Sequence, residues 1–257
     1  MSIFDSLSKL DLSGLKKGLG GLSSLGKKSN SVLGIDIGSS AIKVVQARSQ
    51  EGTAILETYG ELSLGPYADL EIGRATNLEM DRLSEALRDI LREANVTTKQ
   101  CGVSIPFASS LISLLELPAV DNKTLKTMIP LEARKYIPVP ISEVQLDWFV
   151  IPEGDTKILT EDDDEEASEG GTEGETGKTI EKKTLVLLVA IHNDVLRKYN
   201  TVLNSAGLQV GFYEIEIFSS IRATLGRGIA PVVIIDIGSA KSKLYIIYCR
   251  DRAIIHF

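Results

Sequence analysis

Two stretches of this sequence carry the same order of chemical types: LGIDIGSSAIK at residues 33–43 and VIIDIGSAKSK at residues 233–243. In each, an apolar run delivers an aspartate, a glycine follows two positions later, and small polar residues lead into a second apolar run. Gly38 removes the side chain where the backbone must approach something closely or adopt positive φ. Ser39 and Ser40 bring hydroxyls and backbone N–H groups to the turn, the ingredients of an anion site, and Lys43 adds positive charge. Asp36 cannot bind a phosphate itself. Its use would be to hold a divalent cation, directly or through water, against one. Asp236, Gly238 and Ser239 repeat the pattern, so two such turns facing each other would clamp a polyphosphate. Taken alone, either copy would pass for an ordinary hairpin turn, because Asp-x-Gly is common turn chemistry. The duplication favours the clamp.

Both copies need strands to carry them. Residues 32–37, 41–47 and 54–62 are short apolar runs with Gly and Ser breaks, which read as a three-strand meander. Asn77 offers an N-cap to a helix with Leu83, Leu87, Ile90, Leu91 and Ala94 on one face. Residues 102–106 and 111–118 read as strands. Asp121 then caps a helix carrying Leu125, Met128, Ile129 and Tyr136, which Pro130 should kink or divide before it ends at Ile137-Pro138. Strands at 144–151 and 184–191 flank a polar connection at 152–183, too acidic and too long for an ordinary hairpin, which reads as a disordered loop. Its run EDDDEE at 161–166 lacks the ligand spacing of an EF-hand. Asn193 caps a helix with Val195, Tyr199, Val202, Leu203 and Ala206 on one side and Gly207 closing it. A strand at 208–213, a helix at 216–225 and a strand at 232–237 complete the series. Strands and helices mix, so the class is α/β or α+β with a small subdomain inserted between about 103 and 183.

Composition excludes several functions. The chain has 257 residues, 43% hydrophobic and 25% charged, with a formal net charge of −7. No concentrated basic face is written, which argues against a nucleic-acid binder. No window reaches the roughly 18 apolar residues of a membrane span. Residues 1–30 lack the apolar core of a secretory signal, and a cytosolic protein is expected. That leader has five lysines against two aspartates. It reads as a flexible tail, with a weak amphipathic segment touching an anionic membrane surface as the alternative. Cys101 and Cys249 lack metal-ligand spacing and read as buried, reduced thiols. His192 and His256 sit at probable strand ends, outside any arrangement that marks a metal site or a catalytic triad.

The double motif resembles the two phosphate loops of the actin, Hsp70 and sugar-kinase superfamily. The stretches VLGIDIGSSAIKVVQ at 32–46 and LEARKYIPVPISEVQLDWFVI at 131–151 are similar to the PilM family within its FtsA/PilM branch, cytoplasmic actin-like proteins of type IV pilus assembly. The resemblance spans about residues 32–257. It implies an actin-like (ribonuclease H-like) ATPase fold: subdomain 1A at 31–102, an inserted 1C subdomain at 103–183, a return to 1A at 184–229 and the start of 2A at 230–257. Asp36, Gly38, Ser39, Ser40 and Lys43 take the first loop, and Asp236, Gly238 and Ser239 the second, with ATP and Mg²⁺ as the implied ligands and Asp36 and Asp236 toward the metal. The second loop departs from the superfamily, which usually continues with glycine and hydroxyl residues where this chain has Ala240, Lys241 and Ser242. Ala240 would crowd a phosphate, and Lys241 would compensate by charge. The chain ends at Phe257, inside the second domain, so the ATP site would be incomplete.

By the same resemblance the expected function is a scaffold of the type IV pilus, or related type II secretion, inner-membrane platform. It would be cytoplasmic and peripheral to the inner membrane. The partners implied are the N-terminal cytoplasmic tail of a PilN-type bitopic membrane protein and other platform proteins. Ile105, Pro106, Leu117, Pro118, Tyr136 and Pro138 are apolar groups near the 1A/1C junction that would line a peptide groove. Nucleotide would act as a conformational ligand, at most weakly hydrolysed. The alternatives are a small-molecule kinase, for which Asp147 and Glu214 are the carboxylates in strand-like surroundings, and an FtsA-like division protein, which would carry a C-terminal membrane-binding helix.

Overall fold

The computed structural model describes residues 31–151, 183–224, 231–250 and 252–256, with side chains described through residue 247. The leader at 1–30, the acidic connection at 152–182 and the side chains of Cys249 and His256 lie outside the described residues.

β1 (Ser31–Ile37), β2 (Ala41–Gln50) and β3 (Thr53–Ser63) form the antiparallel meander read from the sequence. β1 alternates strictly, with Leu33, Ile35 and Ile37 buried and Val32 and Gly34 exposed, because successive side chains of a strand point to opposite faces. β4 (Gln100–Ile105) adds parallel to β1 and β8 (Gln209–Ile215) parallel to β4, giving a five-stranded sheet in the order β3-β2-β1-β4-β8. Helices α1 (Met80–Glu93) and α3 (Asn193–Ser205) cover its inner face. Leu83, Ala86, Leu87 and Ile90 from α1 and Val202 and Leu203 from α3 bury against Leu33, Ile35, Ile42 and Val44.

A smaller three-stranded sheet, ordered β5-β7-β6, is built from β5 (Ser110–Pro118), β6 (Val144–Ile151) and β7 (Lys183–His192), all antiparallel. β7 is its centre and is buried on both faces, as its unbroken apolar run requires. Val186, Leu188 and Ala190 pack on α2 (Asn122–Ala133), while Val189 and Ile191 turn the other way. They meet Ile105, Ile215, Ile217 and Phe218, the last two from α4 (Glu216–Thr224). Tyr245 of β10 joins the same cluster from a third sheet, β11-β10-β9, made of β9 (Val232–Ile237), β10 (Ser242–Arg250) and β11 (Arg252–His256). Its ring meets Phe107 edge-on with centroids 5.9 Å apart. One apolar cluster therefore joins all three sheets.

Several boundaries differ from the sequence reading. Val103 lies within β4 of the large sheet and β7 belongs to the small one, so the change of sheet falls after Ile105 and after His192 rather than at 103 and 183. α1 starts three residues after Asn77, with Glu79 as a cap that makes no side-chain bond. Asp121 does cap α2, accepting from the Lys123 N–H. Pro130 is accommodated inside that helix, which stops at Ala133. Tyr136 N–H and Ile137 N–H both turn back onto the Ala133 carbonyl, so Tyr136 is not helical. Asn193 is the first residue of α3 rather than its cap, and its amide donates to the Ser142 carbonyl, fastening the helix to the small sheet. Gly207 closes α3 at φ +73°, as expected of a left-handed terminal glycine.

Candidate functional site

The parallel strands β1, β4 and β8 end at one edge of the large sheet, β1 at the turn after Ile37, β4 at Pro106 and β8 at Glu216. Beyond the carboxyl ends of parallel strands, side chains and turn N–H groups have no neighbouring strand and can face a ligand. The β9–β10 hairpin stands opposite this edge across a cleft of about 670 Å³, large enough for a nucleotide-sized molecule. All ten residues assigned from the double motif line it: Asp36, Gly38, Ser39, Ser40 and Lys43 on one wall, Asp236, Gly238, Ser239, Ala240 and Lys241 on the other.

The two turns are copies in three dimensions. Gly38 N–H donates to the Ala41 carbonyl at 2.9 Å, and Gly238 N–H to the Lys241 carbonyl at 3.0 Å. The glycines serve this closure, since a Cβ would sit 3.2 Å from the Ala41 oxygen in one turn and 3.0 Å from the Lys241 oxygen in the other. The turns also touch: the hydroxyls of Ser39 and Ser239, 200 residues apart, are 2.9 Å from each other. The first turn is held from behind as well. Leu64 N–H donates to the Ser40 carbonyl and Thr76 N–H to the Ser39 carbonyl, each at 2.8 Å.

Strand register sets the charges. Asp36 lies opposite Lys43 and beside Ser104, and Asp236 opposite Lys243. Burial pushes the Asp36 carboxyl above its ordinary value; Lys43 pulls it down, Glu216 adds to the rise, and a Ser104 hydrogen bond and Lys243 offset part of it. Two residues that the sequence reading missed complete the centre. Glu216, at the start of α4, accepts the Phe107 N–H at 2.7 Å and the Lys243 ammonium at 2.6 Å. Lys243 also donates to Asp236 at 2.8 Å. Burial alone would lower the Lys243 pKa, but the hydrogen bonds to Asp236 and Glu216 and their charges outweigh it and raise it. The repeat itself carried the signal for Lys243, which stands where Lys43 stands in the first copy. For Glu216 the signal was a carboxylate at a strand-to-helix junction, legible only once β8 is known to lie beside β4. Lys198, Tyr199 and residues 76–78 line the remaining wall.

The proposed groove residues separate. Ile105 and Leu117 are buried in the cluster joining the sheets and in the small-sheet core, so they offer no docking surface. Pro106 lines the cleft instead, while Pro118, Tyr136 and Pro138 are exposed on the small-sheet unit. Neither carboxylate considered as a kinase base reaches the cleft. Glu214 is buried and held by a bidentate pair with Arg222, and Asp147 lies in β6, where it accepts the Trp148 N–H. Of the two ways the motif offers Asp36 and Asp236 to a divalent ion, directly or through water, the arrangement of side chains bears only on the direct one and does not favour it. Lys243 already occupies the position between Asp236 and Glu216, and among the described residues no three acidic, His or Cys side chains converge to hold a metal.

Comparison with known proteins places these observations in a family. The family model for the type IV pilus assembly protein PilM matches residues 34–162, half of the chain. A solved PilM–PilN type IV pilus biogenesis complex is similar over 88% of this chain and 60% of that one, at 21% identity and a TM-score of 0.65. The chain thus spans about three-fifths of that relative's length. The cytoplasmic domain of EpsL, an inner-membrane component of the type II secretion system of Vibrio cholerae, is similar over 88% of this chain and 71% of that one, at 10% identity and a TM-score of 0.51. The fold is actin-like.

Proposed function

The chain belongs to the PilM family of type IV pilus assembly proteins, and from that membership we propose that it is a nucleotide-binding adaptor of a pilus or secretion platform at the cytoplasmic face of the inner membrane. The observation that carries the nucleotide reading is that both copies of the repeated motif line one cleft, with Ser39 and Ser239 in contact across it. The turn N–H groups and the serine hydroxyls are donors for phosphate oxygens, and Lys43 and Lys241 supply exposed positive charge. ATP is the ligand we assign, with the phosphates against both turns, so that binding replaces the direct Ser39–Ser239 contact.

Within this reading the five-stranded sheet with α1 and α3 is subdomain 1A, the small sheet with α2 is 1C, and β9–β11 begin 2A. A ligand gripped by both walls fixes the angle between the first two units and the third, so nucleotide acts as a conformational ligand. In the solved relative PilM is in complex with PilN. We assign the corresponding partner here, the N-terminal cytoplasmic tail of a PilN-type membrane protein, to the 1C side, where Pro118, Tyr136 and Pro138 are exposed. No helix of the described residues is long and apolar enough to cross a membrane.

The test is a titration of the protein with fluorescent ATP and with a labelled tail peptide of the PilN-type protein, for wild type, Lys43→Ala and Tyr136→Ala. ATP affinity is expected to fall about tenfold in Lys43→Ala, the loss of one charge-assisted phosphate contact. Peptide affinity is expected to fall in Tyr136→Ala while ATP affinity holds. Fast ATP turnover stimulated by a small hydroxylated molecule, with no tail binding, would replace the adaptor with a kinase.

A further inference from the structure

The two hairpins are equivalent in register, yet their lysines do different things. Lys43 is exposed, whereas Lys243 is only 22% exposed and is turned between Asp236 and Glu216. Its ammonium lies 2.6 Å from one carboxylate and 2.8 Å from the other, with Asp36 near enough for its charge to be felt. Asp236 comes from the second hairpin and Glu216 from α4 against the first sheet, so these are the acids that a bridging divalent ion would draw on. A divalent ion takes carboxylate oxygens at about 2.0–2.6 Å, and an ammonium already bonded to the same oxygens repels it in the same space.

We propose that Lys243 is the resident cation of this cleft, standing where a divalent ion would otherwise sit, so that a nucleoside polyphosphate is bound here without a divalent metal. The proposal rests on the nucleotide reading above for its ligand, but the place of the cation can be tested without nucleotide. With Lys243 bonded to both Asp236 and Glu216, it offsets one of their two negative charges, and the exposed Lys43 and Lys241 are left to face phosphate. Asp236 and Glu216 are hydrogen-bonded to the ammonium, and the charge of Lys243 is also felt by Asp36 and Tyr245. Lys243 is charged throughout the physiological range because its two hydrogen-bonded acids hold its pKa up.

Mn²⁺ binding, followed by electron paramagnetic resonance, tests this for wild type, Asp236→Asn, Lys243→Met and the double variant. Wild type and Asp236→Asn should bind Mn²⁺ alike, since acidic sites elsewhere on the chain are common to both. Lys243→Met should gain a site at least about tenfold tighter, and Asp236→Asn added to it should remove that gain. In parallel, ATP affinity of the wild type should change by less than about threefold between EDTA and Mg²⁺, and that of Lys243→Met should become strongly Mg²⁺-dependent. A wild-type Mn²⁺ site lost in Asp236→Asn, or no gain in a folded Lys243→Met, overturns the proposal. A lysine that only braces the fold would lower the melting temperature of Lys243→Met without creating a site. Should Lys243→Met not fold, the wild-type and Asp236→Asn comparison still decides. Absence of ATP binding under every condition fails the nucleotide reading and leaves the Mn²⁺ result standing.

Discussion

Asp36 is costly to keep. Burial raises its carboxyl above the ordinary value of 3.8, so the folded protein holds that proton more tightly than the unfolded chain does. The cost is absent below the ordinary value, where both states are protonated, and fully present above the raised folded value. Asp36→Asn, which keeps the acceptor for Ser104, should therefore melt at a higher temperature than wild type at pH 7, with the difference vanishing as the pH falls to the ordinary value. A lower melting temperature at pH 7 would contradict it. Burial also pushes the Cys101 thiol up to about 11. In a Cys249→Ser background Cys101 should react with a disulfide reagent at pH 8 about two orders of magnitude more slowly in native protein than in urea. At this scale the sequence was informative: all ten motif residues reach one cleft because the repeat encodes the same turn twice. Lys243 does not stand out in the motif, where Lys241 lies in the turn itself beside Ala240; only the strand register puts Lys243 opposite Asp236.

At the level of elements, the first turn is anchored by the chain that follows the meander. Residues 64–76 clamp it from behind through two backbone hydrogen bonds, and that segment has its own tight point at Gly65, where a Cβ would fall 2.1 Å from the Glu71 oxygen. Gly65→Ala must displace backbone rather than a flexible side chain. It should cost about 1–3 kcal/mol, read from the urea midpoint, and weaken ATP binding with it. An unchanged midpoint would mean that the segment yields freely. This clamp was not legible in the sequence, since a short 3₁₀ turn and extended chain have no periodicity to read. The same segment misplaced the start of α1: Asn77 has the chemistry of a cap, but its side chain lies in the cleft wall near Lys198. By contrast the meander, the Asp121 cap and the Gly207 terminus were legible because each depends on local spacing or on one residue's own chemistry.

Over the whole molecule, one cluster decides whether the cleft exists at all. Ile105 and Ile215 from the large sheet, Val189 and Ile191 from the small one, and Tyr245 from the third bury together directly beneath the strand ends that form the cleft. Ile191→Ala should cost about 2–5 kcal/mol and unfold the large and small sheets in one transition, as followed by tryptophan fluorescence at Trp148 and by circular dichroism. Separate transitions would show that the sheets are stable apart. The order of elements and the mixed α/β class followed from the sequence pattern, whereas the actin-like fold followed from the resemblance of the two motifs to a known family. The limits of the inserted sheet did not, because whether residues 103–105 or 183–192 belong to one sheet or the other is fixed by pairing between distant strands, which the pattern of a single strand cannot express. The central claim is that the two turns serve one ligand. Hydrogen exchange at the amides of residues 38–41 and 238–241, with and without saturating ATP, measures it directly. Slowed exchange at both turns together is the expected result; protection of one turn alone, or of neither, would contradict it.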